Sequence, residues 1–135
     1  MTSKGLKIAM LVFVFLLILI GSVQATGGTE GCTPGYWKNH LDSWEFYAPD
    51  DSFIDVFGGS YDKTLLEALK TGGGGEKALG RHAVAALLNA QHEYVNYPMT
   101  TGAIQDKMLN YCLPDKVEIC KDRFENYNEN YCPLD

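Results

Sequence analysis

The segment EKALGRHAVAALLNAQ, residues 76–91, constrains the fold more than any other part of the chain. Its apolar side chains recur at helical spacing and cover much of the circumference, so a helix here is expected to be buried on most sides. One face consists of Leu79, Ala83, Ala86, Leu87 and Ala90, widened by Val84 and Leu88. The alanines allow neighbouring elements to approach closely. The segment predicts a central helix in a small, mostly α-helical domain.

A shorter helix is predicted to begin after Thr33. Threonine is a favoured N-cap, and Pro34 then occupies the first helical position, which tolerates proline. In the helix that follows, Trp37, Leu41 and Trp44 are spaced at i, i+4 and i+7. They are expected to form one apolar stripe facing the core.

A second helix is predicted over TLLEALK, where Thr64 and Glu67 have the spacing of a capping box. Gly72 stands where a left-handed C-cap is expected. The preceding segment, residues 47–62, is predicted to be irregular. Its core anchors are expected to be Phe53, Val56 and Phe57.

Two further helices are predicted in the last third of the chain. Thr100 or Thr101 caps one that reaches about Tyr111, and Asp115 with Glu118 has the spacing of another capping box. The last helix carries an apolar side made of Val117, Cys120, Phe124 and Tyr127.

The first 25 residues have the organisation of a secretory signal peptide. Lys4 and Lys7 form a positive region, the range 6–20 is almost entirely apolar, and Val23 and Ala25 provide the small residues of a cleavage site. An uncleaved N-terminal anchor is the alternative, because the apolar range can nearly span a bilayer. Cleavage after Ala25 predicts a single secreted helical domain over residues 26–135, with no membrane association of its own.

That domain is acidic. Loss of two leader lysines leaves 9 basic residues against 17 acidic ones, a net charge of −8. Such a surface repels nucleic acid and anionic lipid, so neither is an expected partner.

Four cysteines, Cys32, Cys112, Cys120 and Cys132, all follow the leader. An even count in a small exported domain predicts two disulfides. A zinc site is disfavoured because the chain has no C-x-x-C pair. The residues alone leave all three pairings of four cysteines open.

A polar cluster is predicted inside the helical core. His82 and Asn89 are seven residues apart and share a partly inward-facing stripe of the central helix, where buried polar groups need partners. Asn39 and His40, following the anchor Trp37 on the first helix, are expected to supply them. A zinc or copper ion held by His40 and His82 is the alternative, although no carboxylate or cysteine stands at ligand spacing from either.

Other candidate sites are weaker. Asp50, Asp51 and Asp55 are oxygen ligands of the kind that calcium prefers, but their spacing is not that of an EF-hand, and a solvated acidic loop is expected instead. The glycine run at 72–75 follows a helix, not a strand, and matches no phosphate-binding loop. No catalytic residues are predicted.

The blocks CTPGYWKNH, RHAVAALLNA, VNYP and CPL, in this order, resemble a widespread domain of exported bacterial and archaeal cell-surface proteins that has no established activity. The resemblance spans nearly all of residues 31–134. Its opening and closing cysteines imply a Cys32–Cys132 disulfide, which leaves Cys112 to pair with Cys120. These last two cysteines are not part of the family pattern.

The resemblance implies a non-enzymatic extracellular or envelope-associated module, without a cofactor, that binds a protein or polymer at the cell surface. The alternative is a secreted metal-binding protein or metal-dependent hydrolase using His40 and His82. Metal content of the purified protein separates the two.

Overall fold

The computed structural model describes residues 27–135, so the predicted signal peptide lies outside the described residues. Within this range the α-helices are α1 Pro34–Asn39, α2 Phe53–Phe57, α3 Leu65–Lys70, α4 Glu76–Gln91, α5 Thr101–Lys107 and α6 Val117–Asn128. A 3-10 turn covers Leu41–Ser43 and a π-helical turn covers Met108–Cys112. The described part of the chain contains isolated β-bridges but no sheet. The prediction of a mostly α-helical domain is confirmed.

Helix α4 is the centre of the fold, and it begins and ends where its sequence pattern predicts. Helices α1, α3, α5 and α6 all pack against it. Its residues from Ala83 to Leu88 are almost completely buried, which agrees with an apolar pattern that extends around the helix. None of the helices in residues 27–135 is long and apolar enough to span a membrane.

Helix α1 begins as predicted but is shorter than expected. The Thr33 hydroxyl accepts a hydrogen bond from the backbone N–H of Tyr36, and Trp37 is fully buried. The helix ends at Asn39, and Leu41 follows in the 3-10 turn with 43% of its surface exposed. The predicted stripe is therefore wrong at Leu41, because the helix ends before that position.

The capping box of α3 is confirmed, since the side chains and backbone N–H groups of Thr64 and Glu67 bond reciprocally. The predicted C-cap at Gly72 is wrong. The cap is Thr71, in an extended conformation, and its hydroxyl donates to the Glu67 carbonyl at 2.7 Å. The side chain of Arg81 donates to the carbonyls of Thr71 and Gly73, so a cationic side chain organises the chain after the helix.

The segment predicted to be irregular contains the short helix α2, which Ser52 caps by accepting from the Asp55 N–H. Phe53 and Phe57 are buried in the core, as expected, while Val56 is only partly buried.

The last two helices depart from prediction at their junction. Thr100 caps α5, which continues into the π-helical turn and ends near the predicted limit. The predicted capping box of Asp115 and Glu118 is wrong. Helix α6 starts at Val117 after Lys116, whose side chain makes no capping hydrogen bond.

Two disulfides, Cys32–Cys132 and Cys112–Cys120, hold these elements together, and both predicted pairs are confirmed. The first joins the segment before α1 to the tail after α6, beside a backbone hydrogen bond from Gly31 to Tyr131. The second joins the π-helical turn to α6.

Candidate functional site

The side-chain amide of Asn89 is completely buried on α4. Its Oδ1 accepts from the Cys32 N–H at 2.8 Å and from the Trp37 indole Nε1 at 3.1 Å. Its Nδ2 donates to the Cys32 carbonyl at 2.8 Å and to Asn128 Oδ1 at 3.0 Å. Two donors and two acceptors are the full capacity of an asparagine side chain. Asn89 therefore ties α1, α6 and the first disulfide to the central helix.

A second buried amide, Asn128 at the end of α6, extends this network. Its Oδ1 also accepts from the Tyr97 hydroxyl at 2.9 Å. Its Nδ2 donates to the His82 carbonyl at 3.0 Å and lies 3.4 Å from His82 Nδ1. The burial of Tyr97 raises the pKa of its phenol well above the usual range, so it remains a neutral donor.

His82 occupies the outer end of the network. Because Nδ1 faces an amide donor, we assign the ring proton to Nε2, which lies 3.9 Å from Glu125 Oε1. Burial lowers the pKa of His82, and the nearby Glu125 carboxylate offsets part of this effect. The neutral ring is thus a structural hydrogen-bond partner.

The prediction that Asn39 and His40 join this cluster is wrong. Both are exposed: Asn39 Nδ2 donates to the Gly35 carbonyl at 3.0 Å, and His40 Nδ1 lies 2.8 Å from the Tyr36 carbonyl. The His40 ring stacks on the Tyr36 ring at 4.0 Å. The reason is geometric. Asn39 lies two residues after the buried Trp37, on the opposite face of the helix, and the chain leaves the helix at His40.

The candidate metal ligands also have separate surroundings. His40 stacks on Tyr36 at the end of α1, whereas His82 bonds to Asn128 in the core. Among residues 27–135, no three or more histidine, cysteine, aspartate or glutamate side chains come together in a group suited to a metal ion. The geometry of the described residues does not support the proposed use of His40 and His82 as a shared metal site.

Asp51, one of the three candidate calcium ligands, makes a hydrogen bond within the acidic loop itself. Asp51 Oδ2 accepts from the Ala48 N–H at 2.8 Å, which closes the turn before α2. Asp55 lies in the first turn of α2, where a negative charge is favourable. Asp50 and Asp55 are exposed, as expected for a solvated acidic loop.

Two members of the buried network, Asn128 and Tyr97, were missed from the sequence. A signal for Asn128 was present, because it lies four residues after Phe124 and eight after Cys120, on the buried face of α6. Tyr97 lies in the connection between α4 and α5, where periodicity gives no guide to burial.

A surface concavity, which we call the Tyr61 groove, lies between α2, the start of α4 and the π-helical turn. Its volume is about 250 Å³. Its main lining side chains are Phe53, Phe57, Tyr61, Glu76, Met108, Leu109 and Leu113. Phe53 packs against Phe57 at 4.6 Å and against Tyr61 at 5.1 Å between ring centroids, forming an aromatic wall.

Glycines allow the walls of the groove to approach each other. A Cβ atom at Gly80 would lie 3.0 Å from the Tyr61 ring, so the glycine in α4 lets that ring pack closely on the helix. Gly58 has a φ of +78°, and a Cβ there would lie 2.7 Å from Leu109 Cδ1. The shape of the groove therefore depends on the absence of two side chains.

Comparison of the chain with models of known protein families, with curated proteins and with solved structures found no match. The family resemblance of the CTPGYWKNH block remains a prediction.

Proposed function

We propose that this chain is an exported, non-enzymatic module that binds a protein or polymer at the cell surface. The observation that best supports this proposal is the distribution of exposed apolar side chains. Of eight large apolar side chains exposed within residues 27–135, half lie between positions 109 and 119. These four residues are Leu109, Tyr111, Leu113 and Ile119, and we call them the apolar edge. Concentrated exposed apolar residues are typical of interaction surfaces.

The Cys112–Cys120 disulfide supports this proposal, because it closes a loop within the same segment. A segment fixed before binding loses less conformational entropy when a partner docks. Lys107 also lies 4.6 Å from the centre of the Tyr111 ring, which favours one orientation of that exposed side chain.

The two disulfides also support an extracellular or envelope location, since disulfides persist in oxidising compartments. Mass spectrometry of the extracellular and envelope fractions tests export. The expected mature chain begins at Thr26, and an intact N-terminus confined to the membrane fraction would favour the uncleaved anchor.

The non-enzymatic assignment draws support from the buried network. Asn89 has no remaining hydrogen-bonding capacity, and Asn128 and His82 bond to each other inside the core. These three side chains thus serve the fold, whereas the residues of the apolar edge are left exposed.

The experiment is a sedimentation assay of the purified, oxidised domain with isolated envelopes of the native cell. We expect saturable binding, and we expect the double variant Tyr111→Ser/Ile119→Ser to bind about tenfold more weakly. The control is Tyr131→Ser, which removes an aromatic ring outside the edge that is even more exposed than Tyr111. Absence of saturable binding, or equal losses in both variants, would contradict the proposal.

A further inference from the structure

The Tyr61 groove adjoins the apolar edge, because Leu109 and Leu113 belong to both. Leu109 is 60% exposed and Leu113 is 41% exposed. Apolar surface thus continues from the concavity onto the outside of the molecule. A ligand that covered all of it would be larger than the 250 Å³ of the groove itself. This extent favours a segment of a macromolecule over a free small molecule.

Tyr61, which lines the groove, carries a polar group without a partner. The Tyr61 hydroxyl oxygen is buried and has no hydrogen-bond partner among residues 27–135. Buried polar groups in native proteins are almost always paired, by protein groups, water or ligand. A smaller cavity of about 30 Å³ is lined by Tyr61, Gly80 and Leu113, among others. It gives space beside this side chain for one small group.

The charge of the groove is negative. Glu76 is the one charged side chain among its lining residues, and within residues 27–135 it forms no salt bridge. The neighbouring Lys77 does not line the groove, and its side chain approaches Gly73. The whole chain has a net charge of −6, so long-range attraction also favours a basic partner and opposes a second copy of this chain.

We propose that the Tyr61 groove binds a segment of a partner protein in which an apolar side chain stands next to a lysine or arginine. The apolar side chain packs between Phe57 and Leu109. The cationic group pairs with the Glu76 carboxylate, and the segment provides the missing hydrogen-bond partner of Tyr61. This inference rests on the proposed function, since it specifies the partner of the same surface.

The first test measures binding of a short blocked peptide, acetyl-Leu-Lys-Phe-Lys-amide, by NMR chemical-shift titration of the purified, oxidised protein. We expect shifts at Tyr61, Met108 and Leu109. The same peptide with glutamate in place of lysine should bind at least about tenfold more weakly at low salt. Phenethylamine, which has an apolar body and one amine, should bind more weakly than the basic peptide. Equal binding of the two peptides, or tighter binding of phenethylamine, overturns the proposal.

Two conservative variants separate recognition from folding. Tyr61→Phe removes only the unpaired hydroxyl, so it should weaken binding while leaving thermal stability unchanged or higher. Glu76→Gln should abolish the preference for the basic peptide. Its control, Glu93→Gln, makes the same change in net charge at an exposed position outside the groove. If Glu93→Gln has the same effect as Glu76→Gln, the recognition is not local to the groove and the proposal is wrong.

The envelope assay then distinguishes this inference from the proposed function. Envelopes treated with trypsin should lose their binding capacity, because the partner is a protein. Retained binding that still depends on the apolar edge would leave the proposed function intact and overturn the protein partner. Peptide binding without any binding to envelopes would leave the inference about the Tyr61 groove intact and overturn the proposed function at the cell surface.

Discussion

The side chains of Asn89 and Asn128, one from the central helix and one from the last helix, form a 3.0 Å amide–amide hydrogen bond in the core. Both side chains are completely buried, and both are uncharged amides. The bond requires one relative position of α4 and α6, because each amide also bonds elsewhere. We expect this pair to specify the packing of the domain more strictly than apolar contacts do.

Asn89→Asp tests that role with almost no change in shape. The substitution removes both N–H donors, so the Cys32 carbonyl loses its donor and Asn128 Oδ1 keeps only the Tyr97 hydroxyl. Leaving the buried carbonyl unpaired costs about 1–3 kcal/mol, before the cost of burying a carboxyl group. Chemical denaturation should show this decrease in the free energy of unfolding. Asn39→Asp, at an exposed position, should change it by less than about 1 kcal/mol. A similar small change at Asn89 would refute the role of the network.

The two disulfides should differ in their contribution to stability. The bridged cysteines are 100 residues apart in one and 8 apart in the other. In the chain-entropy model these loops correspond to about 4–5 and 2–3 kcal/mol, respectively. Cys32→Ala/Cys132→Ala should therefore lower the free energy of unfolding more than Cys112→Ala/Cys120→Ala does. Denaturation of both double variants without reductant measures the difference, and the reverse order would contradict it.

Stability should fall as His82 is protonated. Burial lowers the pKa of His82 in the folded state below its usual value of about 6.5. Between the folded and unfolded pKa values, the unfolded chain binds more protons, so stability decreases as the pH falls through this window. His82→Gln should flatten the decrease below about pH 6.5, whereas His40→Gln should retain it. Denaturation curves at several pH values measure both, and an unchanged slope in His82→Gln would count against this origin.

Trp37→Ala should destabilise the domain by about 3–5 kcal/mol, the usual cost of deleting a buried aromatic side chain. Trp37 is fully buried, and its indole also donates to Asn89. Tyr131→Ala provides a control because its ring is exposed. Thermal and chemical denaturation should separate the two variants clearly, and comparable losses would show that Trp37 is not a core anchor.

A chelator should leave the melting temperature unchanged. His40 and His82 contact different partners, so no shared ion is expected to link α1 to α4. Melting curves with and without EDTA, together with elemental analysis of the purified protein, test this. A sharp decrease that His40→Gln or His82→Gln abolished would instead establish a metal site and favour the secreted metal-binding alternative.

The sequence predicted the elements whose signals are local. The bounds of α4 follow from an apolar pattern over sixteen residues, and Thr33, Thr64 and Thr100 cap helices where their side chains can reach free N–H groups. It failed at the end of α3 and at the start of α6, although Gly72 and the pair Asp115 and Glu118 gave local signals there. The C-cap at Thr71 depends on Arg81, ten residues further along the chain.

The buried network was only partly predictable because its members come from distant parts of the chain. The inward position of Asn89 follows from the spacing of α4. Its bond to the backbone of Cys32 spans 57 residues and has no local signal. The Tyr61 groove was not predictable from the sequence for the same reason. Its walls come from residues 53–61, from the start of α4 and from residues 108–113, and only folding brings these together.

The Cys32–Cys132 disulfide has a mechanical consequence. Force applied to the chain on either side of these two residues passes directly through a covalent bond, bypassing the 100-residue separation between them. The helices that build the core and the groove lie outside the path of the load. An oxidised domain pulled between its two flanks would keep its helical core and the Tyr61 groove intact, whereas the reduced domain would unravel under the same tension.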